Sequence, residues 1–428
     1  MGEIGEIGET GEMGETGEAG EIGEAVEIGK IVKTGKIRFP RFLGIFLLCI
    51  FPCFPDFPSF PHFPDFPHLS HFPDFPSFPD FPDTLTHVNI IVAGDAMCHS
   101  PQFTHAKKST GEGYDFSGCF SYITDILAKG DLNIVNLETT LGDEPYSGYP
   151  QFCAPDEFAF ALNDAGFNFF LLANNHCADK GTKGTVSTIK KLQNKQIPSA
   201  GTYLNEQDRQ ERYPAIMEIK GIKIALLNYT YGTNGLSVNP PVSINLLDDT
   251  AQIKKDLEAA RNKQADVIIA FLHWGTEYQQ TPNKKQKEQA QFFFNNGTDI
   301  IVGSHPHVIQ PVEYFAYDQS DTTKKKLVYW SLGNFISNQR NRHTDGGIMA
   351  SFTITKNKNT NSLHIENQTA IPYWVYRNTT LYPCYFVLPI ERFLNDTTTF
   401  KFSNEDSRAF QIFNNNTNEI LWNNSLKE

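Results

Sequence analysis

No Cys-x-x-Cys pair occurs among the seven cysteines of this 428-residue chain. Neither a zinc knuckle nor a dense disulfide framework is therefore implied. A basic excess is also missing: the formal net charge is -13, so the chain carries no electrostatic footprint for nucleic acid. Nine of the acidic residues are glutamates within the first 28 positions, which leaves the remainder near neutral. No long hydrophobic run is evident. The apolar stretch from Phe42 to Phe51 is half of the roughly 20 residues that a membrane-spanning helix needs. What the chain does have is apolar content of 40%, with 13% aromatic residues, ample for a large core.

Composition divides the chain. Residues 1–36 are dominated by a Gly-Glu-X triplet repeat, which has collagen-like spacing but no proline and reads as a disordered low-complexity tail. Residues 37–55 place the apolar stretch after Lys30, Lys33, Lys36, Arg38 and Arg41. That is the build of a secretory signal or short membrane anchor, so export with or without membrane tethering is expected. Residues 56–86 continue a Phe-Pro-Asp/Ser/His array whose proline density favours an extended, semi-rigid spacer. The array's periodicity itself accounts for His62, His68 and His71. Residues 87–390 read as a globular α/β domain and 391–428 as a C-terminal extension with an Asn-rich surface.

Within the globular region, short Val/Ile/Leu-rich runs alternate with helical lengths, the pattern of a sheet covered on both faces. After Gly346 the runs alternate apolar and polar residues, as in Ile348–Ile354, which predicts short antiparallel strands.

Polar clusters follow six of the runs: Gly94-Asp95-Ala96-Met97-Cys98-His99, Asn136-Leu137-Glu138, Ala173-Asn174-Asn175-His176, His273-Trp274-Gly275-Thr276-Glu277, Ser304-His305-Pro306-His307 and Ser331-Leu332-Gly333-Asn334-Phe335. Open α/β sheets build their ligand crevices at the carboxyl ends of strands. His305 and His307 flank a proline that precludes helix, so two imidazoles leave one rigid turn. Carboxylates can bridge two cations, and imidazoles with oxygen donors suit ions of intermediate hardness. Five of the six clusters also have a plainer reading. Asp95 is a potential helix N-cap, Glu138 a solvated strand end, Asn174-Asn175-His176 a turn, His273 a core histidine, and His305/His307 a polar loop. Cys98 and Cys177 read as small buried thiols, and Trp274, Tyr278 and Trp374 as packing residues.

Taken together, the clusters resemble those of the bacterial CapA proteins of poly-γ-glutamate capsule biosynthesis, whose domain is similar to calcineurin-like metallophosphoesterases. The resemblance covers roughly His87 to Arg377, including Gly221-Ile222-Lys223-Ile224-Ala225 and Ile371-Pro372-Tyr373-Trp374-Val375-Tyr376-Arg377. It implies a four-layer α/β/β/α sandwich of metallophosphoesterase type with a centre for two divalent metal ions, with Mn, Fe or Zn as candidates. Asp95 would bind the first metal and Glu138 would bridge. Asn175, His273 and His305 would bind the second, His307 would return to the first, and His176 would protonate a leaving oxygen. Asn174, Ser331 and Asn334 would orient ligands. The chain departs from the phosphoesterase pattern in three places. Met97 occupies the histidine position of Asp-x-His, with His99 as the candidate substitute. Glu138 replaces an Asp, and Asn174 replaces a Gly. The implied function is a metal-dependent hydrolase of capsule or envelope polymer biosynthesis. Its partner would be an anionic polymer or activated precursor, with a membrane synthase complex also in reach. A non-catalytic assembly subunit and a γ-glutamyl amide hydrolase or transferase are the alternatives.

Overall fold

The computed structural model of the protein describes residues 84–423, apart from 319, 324, 383 and 397. The Gly-Glu-X tail, the basic-then-apolar segment and nearly all of the Phe-Pro array lie outside the described residues. No described helix is long and apolar enough to cross a membrane.

Two mixed sheets form the body. In the eight-stranded sheet, Leu85–Ala96 pairs in parallel with Leu132–Leu137, which pairs with Phe169–Leu171. On its other side Leu85–Ala96 runs antiparallel to Gly346–Asn357, followed by Leu363–Arg377 and Tyr385–Pro389. The six-stranded sheet holds Ile222–Thr230, Val267–His273, Ile300–Ser304 and Lys325–Tyr329 in parallel, edged by Ala215–Ile219 and Val312–Ala316. The late antiparallel pair is longer than its sequence suggested, with strands of 12 and 15 residues. Both extend because each lies between two hydrogen-bonded neighbours.

Alternation along the first strand sets the layers. Val88, Ile90 and Val92 enter one core with Leu226, Ile269 and Ile301 of the six-stranded sheet. Ile91 and Ala93 point the other way, into a second core with Phe158 and Leu162 of helix Asp156–Asp164 and Ile189 and Leu192 of helix Gly181–Asn194. Crossover helices Thr250–Asn262 and Lys284–Asn295 bury Ile253, Leu257, Ala290 and Phe293 against the six-stranded sheet. Right-handed parallel connections place both on its outer face. The order is helix, sheet, sheet, helix, as the resemblance implies. Each buried Val, Ile or Leu contributes roughly 1.5–3 kcal/mol. A one-residue slip of the first strand would exchange both faces, so these side chains hold Asp95 in register.

The C-terminal stretch contains helix Asn404–Asn423, whose Phe410 and Phe413 are buried in the main core, with Phe410 edge-on to Trp374.

Candidate metal centre

The parallel strands of both sheets deliver polar residues at their carboxyl ends. Asp95 sits in register with Asn136 on one side and Asn334 on the other, beyond a bulge after Ala93. In the other sheet His273 lies level with Ser304. Gly94 permits this junction, because a Cβ there would collide with the Gly333 carbonyl. Beyond Ser304 the chain turns through His305 (φ 98°) and His307 (φ 57°), left-handed conformations that non-glycine residues seldom adopt. The His305 backbone N–H donates to Asp95 Oδ2 at 3.1 Å, so the turn of one sheet is fastened to the strand of the other. Strain in such a turn persists only where its surroundings over-determine it.

Five of the expected ligands converge. Two groups, Asp95–Glu138–His273 and Glu138–His305–His307, each have potential ligand atoms within 4.8 Å of one another, and all five residues are buried. Glu138 is common to both. Its Oε1 lies 3.7 Å from His273 Nε2 and 3.8 Å from His307 Nε2. His307 Nδ1 lies 3.2 Å from Asp95 Oδ2 and 3.0 Å from Asn334 Oδ1, which leaves Nε2 directed at Glu138. Asn334 is itself fixed by donating to Gln339 Oε1 and the Thr344 carbonyl, both at 2.8 Å. Asn175 Oδ1 meets His273 Nε2 at 2.7 Å, placing the amide at the edge of the group.

The other expected residues occupy different roles. His176 is held by Asp179 Oδ2 at 2.8 Å from its Nδ1 and by the Phe152 ring, edge-on at 4.7 Å. His99 is in neither ligand group. Its Nδ1 meets Gln102 Oε1 at 3.2 Å and accepts from the Asn338 backbone at 3.3 Å. Asn174 clamps backbone: it donates to the Leu137 carbonyl at 2.8 Å and accepts from the His176 N–H at 3.1 Å. Ser331 donates to the Val308 carbonyl at 2.8 Å, shaping the segment that follows His307. Cys98 and Cys177 are buried free thiols, as expected. Trp274 and Trp374 are packing residues, but Tyr278 is 49% exposed and 6.3 Å from the His307 ring, so it borders the centre instead of filling the core.

Residue-by-residue reading gave no role to Asn136, although it stands in a named cluster, and missed Asp179 and Tyr231. Asn136 Nδ2 donates to Asp95 Oδ1 at 2.8 Å and lies 3.4 Å from both Glu138 Oε2 and His273 Nδ1. Its signal was available, since residues two apart on a strand share a face and Asn136 precedes Glu138 by two. Tyr231 packs at 4.5 Å over His305, a contact with no local sequence mark.

Electrostatics separate the two carboxyls. Burial opposes ionisation of Asp95, but the hydrogen bond and attraction from His307, with the Asn136 amide donating to it, outweigh burial and hold the carboxyl below its usual range. Burial and then the Asp95 charge push Glu138 well above its usual range. Burial drives His273 far down and, with His307, takes His305 to about 3, so both rings present neutral lone pairs. The ion-pair partners of Asp95 and Glu138 among the described residues are histidines, without lysine or arginine. Glu138 Oε1 and His305 Nδ1 are buried with no hydrogen-bond partner. A buried ionised Asp95, a Glu138 carboxyl that only a cation would help to ionise, neutral imidazoles and two orphaned ligand atoms fit divalent cations, because buried charge demands a counter-charge.

The family model described as bacterial capsule synthesis protein PGA_cap matches residues 89–339. The chain belongs to this family. Every residue of the two ligand groups falls within that span. Curated relatives of this PGA_cap protein include the capsule biosynthesis protein CapA of Bacillus anthracis, 28% identical over 56% of the chain and 58% of the relative. Another is the PGA biosynthesis protein CapA of Bacillus subtilis (strain 168), 29% identical over 46% of the chain and 49% of the relative. The aligned region thus spans about half the length of these proteins. Solved structures similar to it include the calcineurin-like phosphoesterase YfkN from Bacillus subtilis, with 14% identity, 78% of this chain, 98% of that one and a TM-score of 0.41. A 5'-nucleotidase precursor from Thermus thermophilus shows 13% identity, 78% and 59% coverage, and a TM-score of 0.41. At these scores neither structure adds anything about chemistry.

Proposed function

We propose that this PGA_cap protein is a metal-dependent hydrolase of capsule or envelope polymer biosynthesis, exported to the cell envelope, with an anionic polymer or its activated precursor as substrate. The supporting observation is the pair of ligand groups that share Glu138. Asp95, Glu138, His273, His305 and His307 would hold two divalent cations, with Asn175 at the margin. When bound, such cations supply Lewis acidity, lowering the pKa of water towards about 7 and neutralising charge at the attacked centre.

The chain's own residues do the rest. Asn334 and Asp95 share the His307 Nδ1 proton, so Nε2 keeps its lone pair. Asn136 fixes Asp95 Oδ1 and orients Glu138. Asp179 accepts from His176 Nδ1, leaving Nε2 to carry the proton delivered to a leaving oxygen. Tyr231 and Tyr278 border the cluster next to His305 and His307 and limit water access from that side.

Elemental analysis of purified protein, joined to turnover of an aryl phosphodiester and of a γ-glutamyl amide, tests this reading in wild type and Glu138→Ala. Bound metal with phosphodiester turnover that the substitution abolishes is the expected result. Release of glutamate alone would favour an amide hydrolase or transferase. Metal-free, inactive protein that still restores polymer production would replace the hydrolase with an assembly subunit.

A further inference from the structure

Beside the ligand groups lies a pair of arginines that no part of this chemistry uses. The segment after strand Asn334–Ile336 carries Asn338, Gln339 and Arg340. Gln339 accepts from Asn334, the same amide that faces His307, and the Asn338 backbone donates to His99. This segment is thus two hydrogen bonds from the cluster. Arg340 is aimed by two carbonyls: Nη1 donates to Val375 at 2.8 Å and Nη2 to Ser337 at 3.4 Å. Its guanidinium lies 5.6 Å from the Tyr385 ring centroid. Arg377, at the end of strand Leu363–Arg377, comes to the same place, with Nη1 donating to Asn338 Oδ1 at 3.1 Å. The Tyr385 hydroxyl donates to that same oxygen at 2.6 Å.

Two features of the pair are unusual. Both residues are exposed, yet among the described residues neither has a carboxylate within ion-pair distance. The nearby Asp345 acts on Arg340 through its charge but is engaged elsewhere, accepting from Trp374 Nε1 at 2.7 Å. Like charges are brought to one spot with only the charge of Asp345, out of contact range, acting on Arg340 as a partial counter-charge, so the fold bears an energetic cost that a bound anion would reduce. Each guanidinium has five N–H donors and here uses only one or two, so a fork remains for a bidentate oxyanion. Burial and the neighbouring Cys384 push the Tyr385 hydroxyl up to about 12 while both guanidiniums pull it down, so it remains a neutral donor between them.

We propose that Arg340 and Arg377 form an oxyanion subsite that holds a carboxylate or phosphate of the substrate chain one step away from the group held at the ligand cluster. The subsite rests on the hydrolase reading for its place in a reaction, but its binding can be read without any turnover. It makes the substrate polyanionic, with charges repeated along the chain, in place of an isolated phosphoester.

The test uses the full chain and a fluorescein-labelled γ-linked glutamate oligomer, followed by anisotropy, with inorganic pyrophosphate, free glutamate and neutral dextran as competitors. Wild type should bind the oligomer, and dextran should not displace it. Arg340→Gln and Arg377→Gln should each weaken binding about ten-fold, the double substitution more, with unchanged melting temperature and metal content. Arg340→Lys should recover only part of the loss, because ammonium lacks the planar fork. Displacement by pyrophosphate but not by free glutamate would assign the natural group as phosphate; the reverse would assign carboxylate. Equal affinity of the double variant and wild type, or no oligomer binding by wild type, would overturn the subsite. Inactivity towards every hydrolase substrate alongside arginine-dependent binding would sink the hydrolase reading and leave the subsite standing.

Discussion

Replacing Glu138 with Gln should have opposite effects with and without metal. In metal-free protein the Glu138 carboxyl is fully buried beside Asp95, with Oε1 unpartnered. An unsatisfied buried polar atom costs about 1–3 kcal/mol. Burial and Asp95 raise the folded carboxyl above its ordinary 4.5, so the folded state keeps a proton that the unfolded chain releases. The stability linked to that proton is complete below the unfolded pKa and falls as pH rises towards the folded one, by about 1.4 kcal/mol per pH unit. Asp95 acts in the other direction: its lowered pKa stabilises above the unfolded value and is lost only in acid. Glu138→Gln removes the first dependence. Without metal and near neutral pH the variant should therefore be more stable than wild type by about 1–3 kcal/mol, with a flatter pH profile above about pH 5. Metal reverses the order. A cation present at about 100 times its Kd stabilises the protein by about 2.7 kcal/mol, and a neutral amide cannot serve both groups as Glu138 does. Urea unfolding of both proteins, in chelator and in excess Mn²⁺ or Zn²⁺, measures all four states. A variant that is less stable than wild type in chelator, or that gains as much from metal, would refute the account.

Three further outcomes follow from the same geometry. Asn334→Ala removes one of the two acceptors that hold His307 Nδ1, leaving only Asp95, and should weaken metal binding about 10–100-fold by titration calorimetry, with the fold intact. Asp179→Asn should lower kcat about ten-fold or more and displace the pH profile of kcat, while metal content stays at the wild-type level, because Asp179 touches His176 and not the ligand groups. His305→Ala removes the buried nitrogen that lacks a protein partner, so it should lower the metal-to-protein ratio with little loss of melting temperature in chelator.

The convergence of the candidate ligands was largely legible because strand ends leave a local mark. An apolar run followed by Asp95, Glu138, His273 or His305-Pro306-His307 reports both the strand and its polar carboxyl end. Layer order was legible for a similar reason, since Val88, Ile90 and Val92 alternate with the residues facing the helices. His99 shows where such reading fails: proximity in sequence to Asp95 suggested a ligand, but helix Ser100–Ala106 begins there and Gln102 claims the imidazole. Arg340 and Arg377 carried no signal at all, because a pair is recognised as uncompensated only when its neighbours are known.

The chain by itself determined which residue types stand at the ends of which strands, because hydrophobic periodicity and turn chemistry act over a few residues. Only the tertiary structure decided that Asn136 would clamp Asp95, that Glu138 would be common to both ligand groups, and that two arginines 37 positions apart would both come beside Tyr385. Those contacts depend on how two sheets pack face to face, and sheet packing is set by long-range burial that no short segment encodes.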